Sequence, residues 1–235
     1  MTDFKGTSIT WLGHASALIT TAQGTQILID PFFAQSPTFP KDYVLPEKLD
    51  LVLLTHGHFD HIADAEPLAK QYKSQVVGMV ELAGWLASKG VENTVGMNLG
   101  GTYRFKDVAI TMVEAKHSAS IQDGDKTLYA GVAAGFILTI DNGPVIYHAG
   151  DTSLFSDMKL IGELYQPEIG LLPIGDHYTM GPKAGAIAAQ YLGLKTVIPI
   201  HWGTFPGLTG TPAELRKHLA TGIEITELAP GETAK

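Results

Sequence analysis

An α/β sandwich, two sheets packed face to face with helices outside, is the fold class that this 235-residue sequence predicts. Three observations lead to it. The chain passes twice from antiparallel β material into strand and helix alternation, no Pro/Gly/Ser-rich linker parts the two passages, and 45% of residues are apolar, enough at this length for a sizeable core. One domain over residues 1–235 is therefore expected.

The first passage opens with "TSITWLG" and "SALITTA", turns through "AQGT", and continues as "QILIDP". Their β-branched and apolar content reads as strands, with Gly24 in the turn and Pro31 closing the third. "LDLVLL" is apolar enough for a strand covered on both faces. "DAEPLAKQYK" then reads as helix, "QVVGMV" as strand, and "ELAGWLASKG" as a helix stopped by Gly90.

The second passage begins with "YRFKDVAITMVEA", a strand pair with a bend. In "FILTIDNGPVIYHAGD" the "NG" predicts a type I′ hairpin turn. "YAGVAAGF" reads as a close-packed strand, since it lacks the lysine and hydroxyl of a phosphate loop. "EIGLLPIG", "PKAGAIAAQYLG" and "TVIPIHWG" restore strand, helix, strand. In "TPAE", Thr211 is a cap, Pro212 takes the first helical position and Glu214 completes a capping box, so a last helix is expected up to Gly222. "IEITEL" reads as a final strand before a polar tail.

Composition narrows the chemistry. The chain has no cysteine, which removes disulfides, thiol nucleophiles and thiolate metal sites, so any metal must rest on nitrogen and oxygen ligands. A formal charge of −8 gives nucleic acid no general reason to approach. The N-terminus "MTDFKGTSITWLG" lacks the pattern of a signal peptide, and no apolar run reaches the roughly 20 residues that span a bilayer. Cytoplasmic residence without a membrane partner is the default expectation.

The stretch "THGHFDH" carries the chemistry. His56 and His58 stand two apart, so on an extended backbone both side chains leave the same face and converge on one ion. Asp60 and His61 follow where the chain leaves the strand, and a turn there directs them at a second ion. A solvent-facing polar turn is the plainer alternative. Three more strands deliver metal-capable residues at or near their ends: His117 after "ITMVEA", Asp151 after "VIYHAG" and His201 after "TVIPI". Zinc is the first choice where histidines predominate, with manganese and iron as alternatives.

Together "THGHFDH", "AKHS", "AGDT" and "PIHWG" resemble the metallo-β-lactamase superfamily, and "WLGHASALI" and "ILIDPFF" resemble its branch of UPF0173 metal-dependent hydrolases and ascorbate-6-phosphate lactonases. The resemblance implies a four-layer αβ/βα sandwich. It also implies that His56, His58 and His117 bind one ion, that Asp60, His61 and His201 bind another, and that Asp151 bridges them. The expected activity is hydrolysis by a hydroxide that the two ions activate, on a small soluble phosphodiester, lactone or other ester. Asp60 would also orient the hydroxide. The alternatives are a noncatalytic metal-binding or assembly protein and an iron-dependent redox protein; self-association is left open.

The remaining candidates are weighed by position. His177, in "LPIGDHYTMGP", is expected to protonate the leaving group or bind substrate, with Asp176 and Tyr178 as weaker candidates beside it. His14 and His148 are expected to support ligands from behind, and Trp202 to form a pocket wall. Phe59 is expected to pack and fix the loop. His218, Lys116 and Lys183 are read as solvated, and Trp11 and Trp85 as apolar anchors.

Overall fold

A computed structural model describes residues 2–235. The first passage forms β1 (Ser8–Gly13), β2 (Ser16–Thr20), β3 (Gln26–Ile29), β4 (Leu51–Leu53), α1 (Phe59–Ile62), α2 (Ala65–Tyr72), β5 (Gln75–Met79), α3 (Val80–Ser88) and β6 (Thr94–Met97). Then come β7 (Thr102–Phe105), β8 (Val108–Glu114), a ribbon of β9 (Ser120–Asp123) and β10 (Lys126–Tyr129), and β11 (Ala134–Ile140) with β12 (Val145–His148). The chain finishes with α4 (Met158–Tyr165), β13 (Ile169–Pro173), α5 (Pro182–Leu192), β14 (Thr196–Ile200), α6 (Pro212–His218), β15 (Glu224–Ile225) and β16 (Thr233–Ala234).

Two seven-stranded sheets result, ordered β16-β1-β2-β3-β4-β5-β6 and β15-β14-β13-β12-β11-β8-β7. Each is antiparallel where its passage begins and parallel where strands alternate with helices. The period of two decides which face each residue covers. Phe136 and Leu138 of β11, Ile146 of β12, Leu171 of β13 and Ile198 of β14 join the core shared with the first sheet. Their neighbours in sequence Ile137, Tyr147, Leu172 and Val197 face a second core with α4, α5 and α6. The expected sandwich is the observed one.

Several local expectations change. The "NG" turn is not type I′: only Asn142 takes a left-handed φ, 56°, because Pro144 restricts Gly143 before it. The β11 strand starts at Ala134 and leaves out the beginning of "YAGVAAGF". A Cβ on Gly131 (φ 81°) would lie 2.3 Å from Met79 Cγ, so the chain bends there against β5. Helix α6 ends at His218 instead of Gly222, since Leu219 turns extended and packs on the outer core. Its cap is half a box: Thr211 Oγ1 accepts the Glu214 N–H at 3.2 Å, while the Glu214 carboxylate pairs with Lys217. "IEITEL" pairs over two residues only, and the polar tail supplies β16, with Thr233 opposite Thr10.

Candidate metal centre

Within each sheet, β1, β3 and β4, and β8, β12 and β14, run the same way, so their C-terminal ends share a rim. His14, Asp30, the loop from Thr55 to His61, His117, Asp151 and His201 all follow those ends. Three of them hold left-handed backbone without being glycine: His14 at φ 50°, Asp30 at 47° and His201 at 55°. Asp and His tolerate this region better than most residues, and such strain gathers at functional sites. At His201 it has a use. Ile198 and Ile200 face the inter-sheet core, so a continuing strand would turn His201 outward; instead its Nε2 lies 3.1 Å from Asp151 Oδ2.

The seven predicted ligand residues come together. Donor atoms of His56, His58 and His117 lie within 4.8 Å of one another, as do those of His14, Asp60, His61 and His201. A third such group is His56, His61 and Asp151. Asp151 Oδ2 approaches His61 Nε2 at 3.4 Å and His117 Nε2 at 3.6 Å, touching both sets. Zinc bonds of about 2.0–2.2 Å in tetrahedral geometry place ligand atoms roughly 3.3 Å apart, so these spacings fit divalent ions.

Hydrogen bonds choose which nitrogen is free. The Asp30 carboxylate, fully buried, accepts the Thr55 N–H at 2.8 Å, the Thr55 hydroxyl at 2.6 Å and the His61 Nδ1–H at 2.8 Å. His61 Nε2 is thereby the nitrogen that faces the cluster and that a metal ion could take. Thr55 Oγ1, having donated, accepts His56 Nδ1–H at 3.0 Å, which leaves His56 Nε2 facing His58 Nδ1 at 2.9 Å. His58 Nε2–H points to Ser118 Oγ at 3.3 Å. Among the described residues, seven buried side-chain polar atoms have no hydrogen-bond partner; four are here, on His61, Asp151 and His201. Such concentration is what a metal site requires of its donors. The cluster is able to bind metal.

Electrostatics agree. Burial pushes His56 well below the ordinary histidine value. His61 is held well above it by Asp151 and Asp30, although burial opposes its charge. Burial works against Asp151 too, yet His201 and His61 keep its carboxylate well below the usual range. Asp60 is likewise lowered, against its burial, by the hydrogen bond from His14.

His14 lies within the cluster and bonds Asp60. Burial lowers it to about 4, so the neutral ring donates Nε2–H to Asp60 Oδ2 at 3.0 Å while Nδ1 accepts from the Thr204 hydroxyl at 3.0 Å. Its carbonyl accepts Trp11 Nε1–H and the His201 N–H, tying the two sheets together. His148 is buried, donates Nε2–H to Ala15 O at 3.0 Å and accepts Gly150 N–H at Nδ1, which braces the turn into Asp151.

Other candidates fall elsewhere. His177 is exposed, stacked edge-on against Tyr178 at 4.4 Å, and does not line the cavity over the cluster; Tyr178 does. Asp176 is a turn former: its carboxylate accepts the His177 N–H and its carbonyl the Tyr178 N–H, because both 176 and 177 are left-handed (φ 68° and 58°) and rotate the loop. Trp202 stacks on Trp11 at 5.5 Å and walls a separate cavity with Leu228 and Pro230, being one residue beyond the turn that points His201 inward. Phe59 is 54% exposed and lines the metal-side cavity while its edge packs on Phe32, so it is more than a packing residue. His218 and Lys183 are exposed, and Lys116 pairs with Glu114. Asp30 and Phe205 escaped the sequence reading; the aspartate in "ILIDP" was the available signal for the first.

Comparison with known proteins follows the same line. A family model described as Beta-lactamase superfamily domain matches residues 25–202, a span that runs from β3 past His201. The UPF0173 metal-dependent hydrolase of Koribacter versatilis is 51% identical over 231 residues, covering 98% of this chain and 99% of that protein. Its counterpart in Rubrobacter xylanophilus is 48% identical, covering 97% and 96%. Among solved structures, Igni18, a metallo hydrolase from the archaeon Ignicoccus hospitalis, superposes with a TM-score of 0.86 at 34% identity, covering 97% of each chain. With this rim of histidines and carboxylates and these full-length relatives, the chain belongs to the UPF0173 metal-dependent hydrolases of the β-lactamase superfamily.

Proposed function

We propose that this protein hydrolyses a small ester, lactone or phosphodiester at a dinuclear metal centre. His56, His58 and His117 would hold one divalent ion, Asp60, His61 and His201 the other, and Asp151 both; zinc is the first choice, manganese or iron the alternatives. The observation that carries this reading is Asp151 Oδ2, within 3.6 Å of histidine nitrogens from both sets. When bound, the ions supply the charge that activates water to hydroxide and polarises the scissile carbonyl or phosphoryl group.

The protein's own residues supply position. His14 holds Asp60 as an oriented carboxylate, and Asp30 and Thr55 orient His61 and His56. The cluster opens into a cavity of about 600 Å³, a size suited to a small molecule and unlike the closed site expected of a noncatalytic metal store. Tyr178 lines that cavity and is placed to hydrogen-bond a leaving group; His177 is kept as a proposed helper behind it. The test is metal analysis of the purified protein, then turnover of a lactone and phosphodiester panel by the same preparation with zinc or manganese. Two ions per chain and metal-dependent turnover are expected; a fully loaded protein inert to the whole panel removes the hydrolytic reading.

A further inference from the structure

The cavity over the cluster has two kinds of lining. Its floor is the polar cluster, including the carboxylates of Asp60 and Asp151. Its mouth is aromatic, with Phe59, Phe205 and Tyr178. Phe59 and Tyr178 are 54% and 57% exposed, and with Phe205 they gather at one cavity instead of being scattered singly. The fully buried Phe32 underpins two of them, with ring centroids 5.7 Å from Phe59 and 6.3 Å from Phe205. Phe59 and Phe205 are 6.5 Å apart and tilted by 44°, a supported apolar surface beside the metal ligands.

Charge is distributed as unusually as apolarity. Among the described residues no lysine or arginine lines this cavity. Lys116, the neighbour of His117, turns to Glu114 at 3.2 Å and lies over the Phe155 ring, and Lys183 is exposed on α5 away from the lining. A substrate bearing an anionic group away from its reacting centre would find only Asp60 and Asp151 as charged side chains, and no protein cation of the kind that clamps a phosphoryl group. A flat apolar group would find Phe59 and Phe205.

We infer that the substrate is a carboxylic ester or lactone whose non-reacting part is uncharged and carries a flat apolar group, seated on Phe59 and Phe205. This rests on the hydrolytic reading above and narrows it. Phe59 and Phe205 are its specificity-determining residues.

Binding and turnover test the two layers separately. Titration calorimetry of the zinc-loaded protein with phenylacetate and acetate reads the seat without any reaction. Phenylacetate is expected to bind at least tenfold more tightly than acetate. In Phe59→Ala and Phe205→Ala that phenylacetate-to-acetate ratio is expected to fall about tenfold; as a ratio, it is insensitive to a general loss of metal or fold. Phe205 lies outside the Thr55–His61 loop, four residues beyond His201, and provides a second variant from a different segment. A ratio near one in the parent, or an unchanged ratio in both variants, overturns the inference. Turnover of phenyl and methyl esters then tests hydrolysis: selective binding with no ester cleaved removes the hydrolytic reading and leaves the apolar seat standing.

Discussion

Replacing Asp30 with asparagine tests the support of the metal centre without touching a proposed ligand. The carboxylate accepts three hydrogen bonds in a fully buried position, one on Oδ1 from the Thr55 N–H and two on Oδ2 from the Thr55 hydroxyl and His61 Nδ1–H. An amide of the same shape keeps one acceptor oxygen. Whichever way it is turned, at least one buried donor meets an N–H₂ group, at a cost of about 1–3 kcal/mol. With the oxygen on the Thr55 N–H side, His61 can avoid the clash only by giving up its Nδ1 proton and keeping one on Nε2, the nitrogen that a metal ion needs. Loss of such an outer partner typically weakens metal binding about 10–100-fold, or roughly 1.4–2.7 kcal/mol. Calorimetric titration of metal-free Asp30→Asn with zinc should therefore show at least one of two binding steps weakened by that factor, while circular dichroism shows the folded sheet content retained. Both steps within threefold of the parent's would refute the reasoning.

Further outcomes are expected. Asp151→Ala removes the carboxylate shared by both sets, and plasma emission analysis should find at most one ion per chain, with hydrolysis lost; two tightly held ions would contradict the bridging assignment. His177→Ala, at an exposed ring outside the cavity lining, should lower turnover less than about fivefold, since general acid catalysis by a directly engaged group is worth about 10²–10⁴-fold. A hundredfold drop at unchanged metal content would restore it as the proton donor. In chelator-treated protein, thermal stability should fall as pH drops from about 6.5 to 4. His14, lowered to about 4, and His56 and His148, also lowered by burial, stay neutral in the fold while the unfolded chain takes up protons near 6.5, so the unfolded state binds more protons in that window. His14 alone contributes about 3 kcal/mol across it, and His61, held protonated in the fold throughout the window, opposes this only near its upper end, where the unfolded ring is still partly neutral. A flat melting profile would show these rings to be solvated. Thr211→Ala removes the acceptor for Glu214 N–H and should cost about 1 kcal/mol, a fall of roughly 2–4 °C in Tm by calorimetry; no change would mean the α6 cap contributes nothing.

The residues of the candidate metal cluster were legible because their signal is local. In "THGHFDH" the residue types are the donors themselves, and His117, Asp151 and His201 each stand at or near the end of a short apolar run that reads as a strand. The doubled order of antiparallel and then alternating elements likewise gave away two sheets, because hydrophobic period and turn residues act over a few positions. The short pieces β15 and β16 were misread or missed because two residues have no period; a neighbouring strand, not their own composition, makes them strand.

What only the tertiary structure decided depends on contacts between distant segments and on backbone angles that residue type does not dictate. Asp30 reads in sequence as the end of a strand before a proline, and becomes the anchor of His61 only because β3 and β4 lie side by side. Left-handed turns at 176, 177 and 201 decided that Tyr178 and His201 reach the cavity while His177 and Trp202 do not. The sequence by itself determined that a cluster of nitrogen and oxygen donors would form at strand ends, since donor chemistry is a property of each side chain. Which nitrogen each histidine offers, and the aromatic, cation-free mouth above them, were decided in three dimensions, because both arise from hydrogen bonds and packing between segments far apart in the chain.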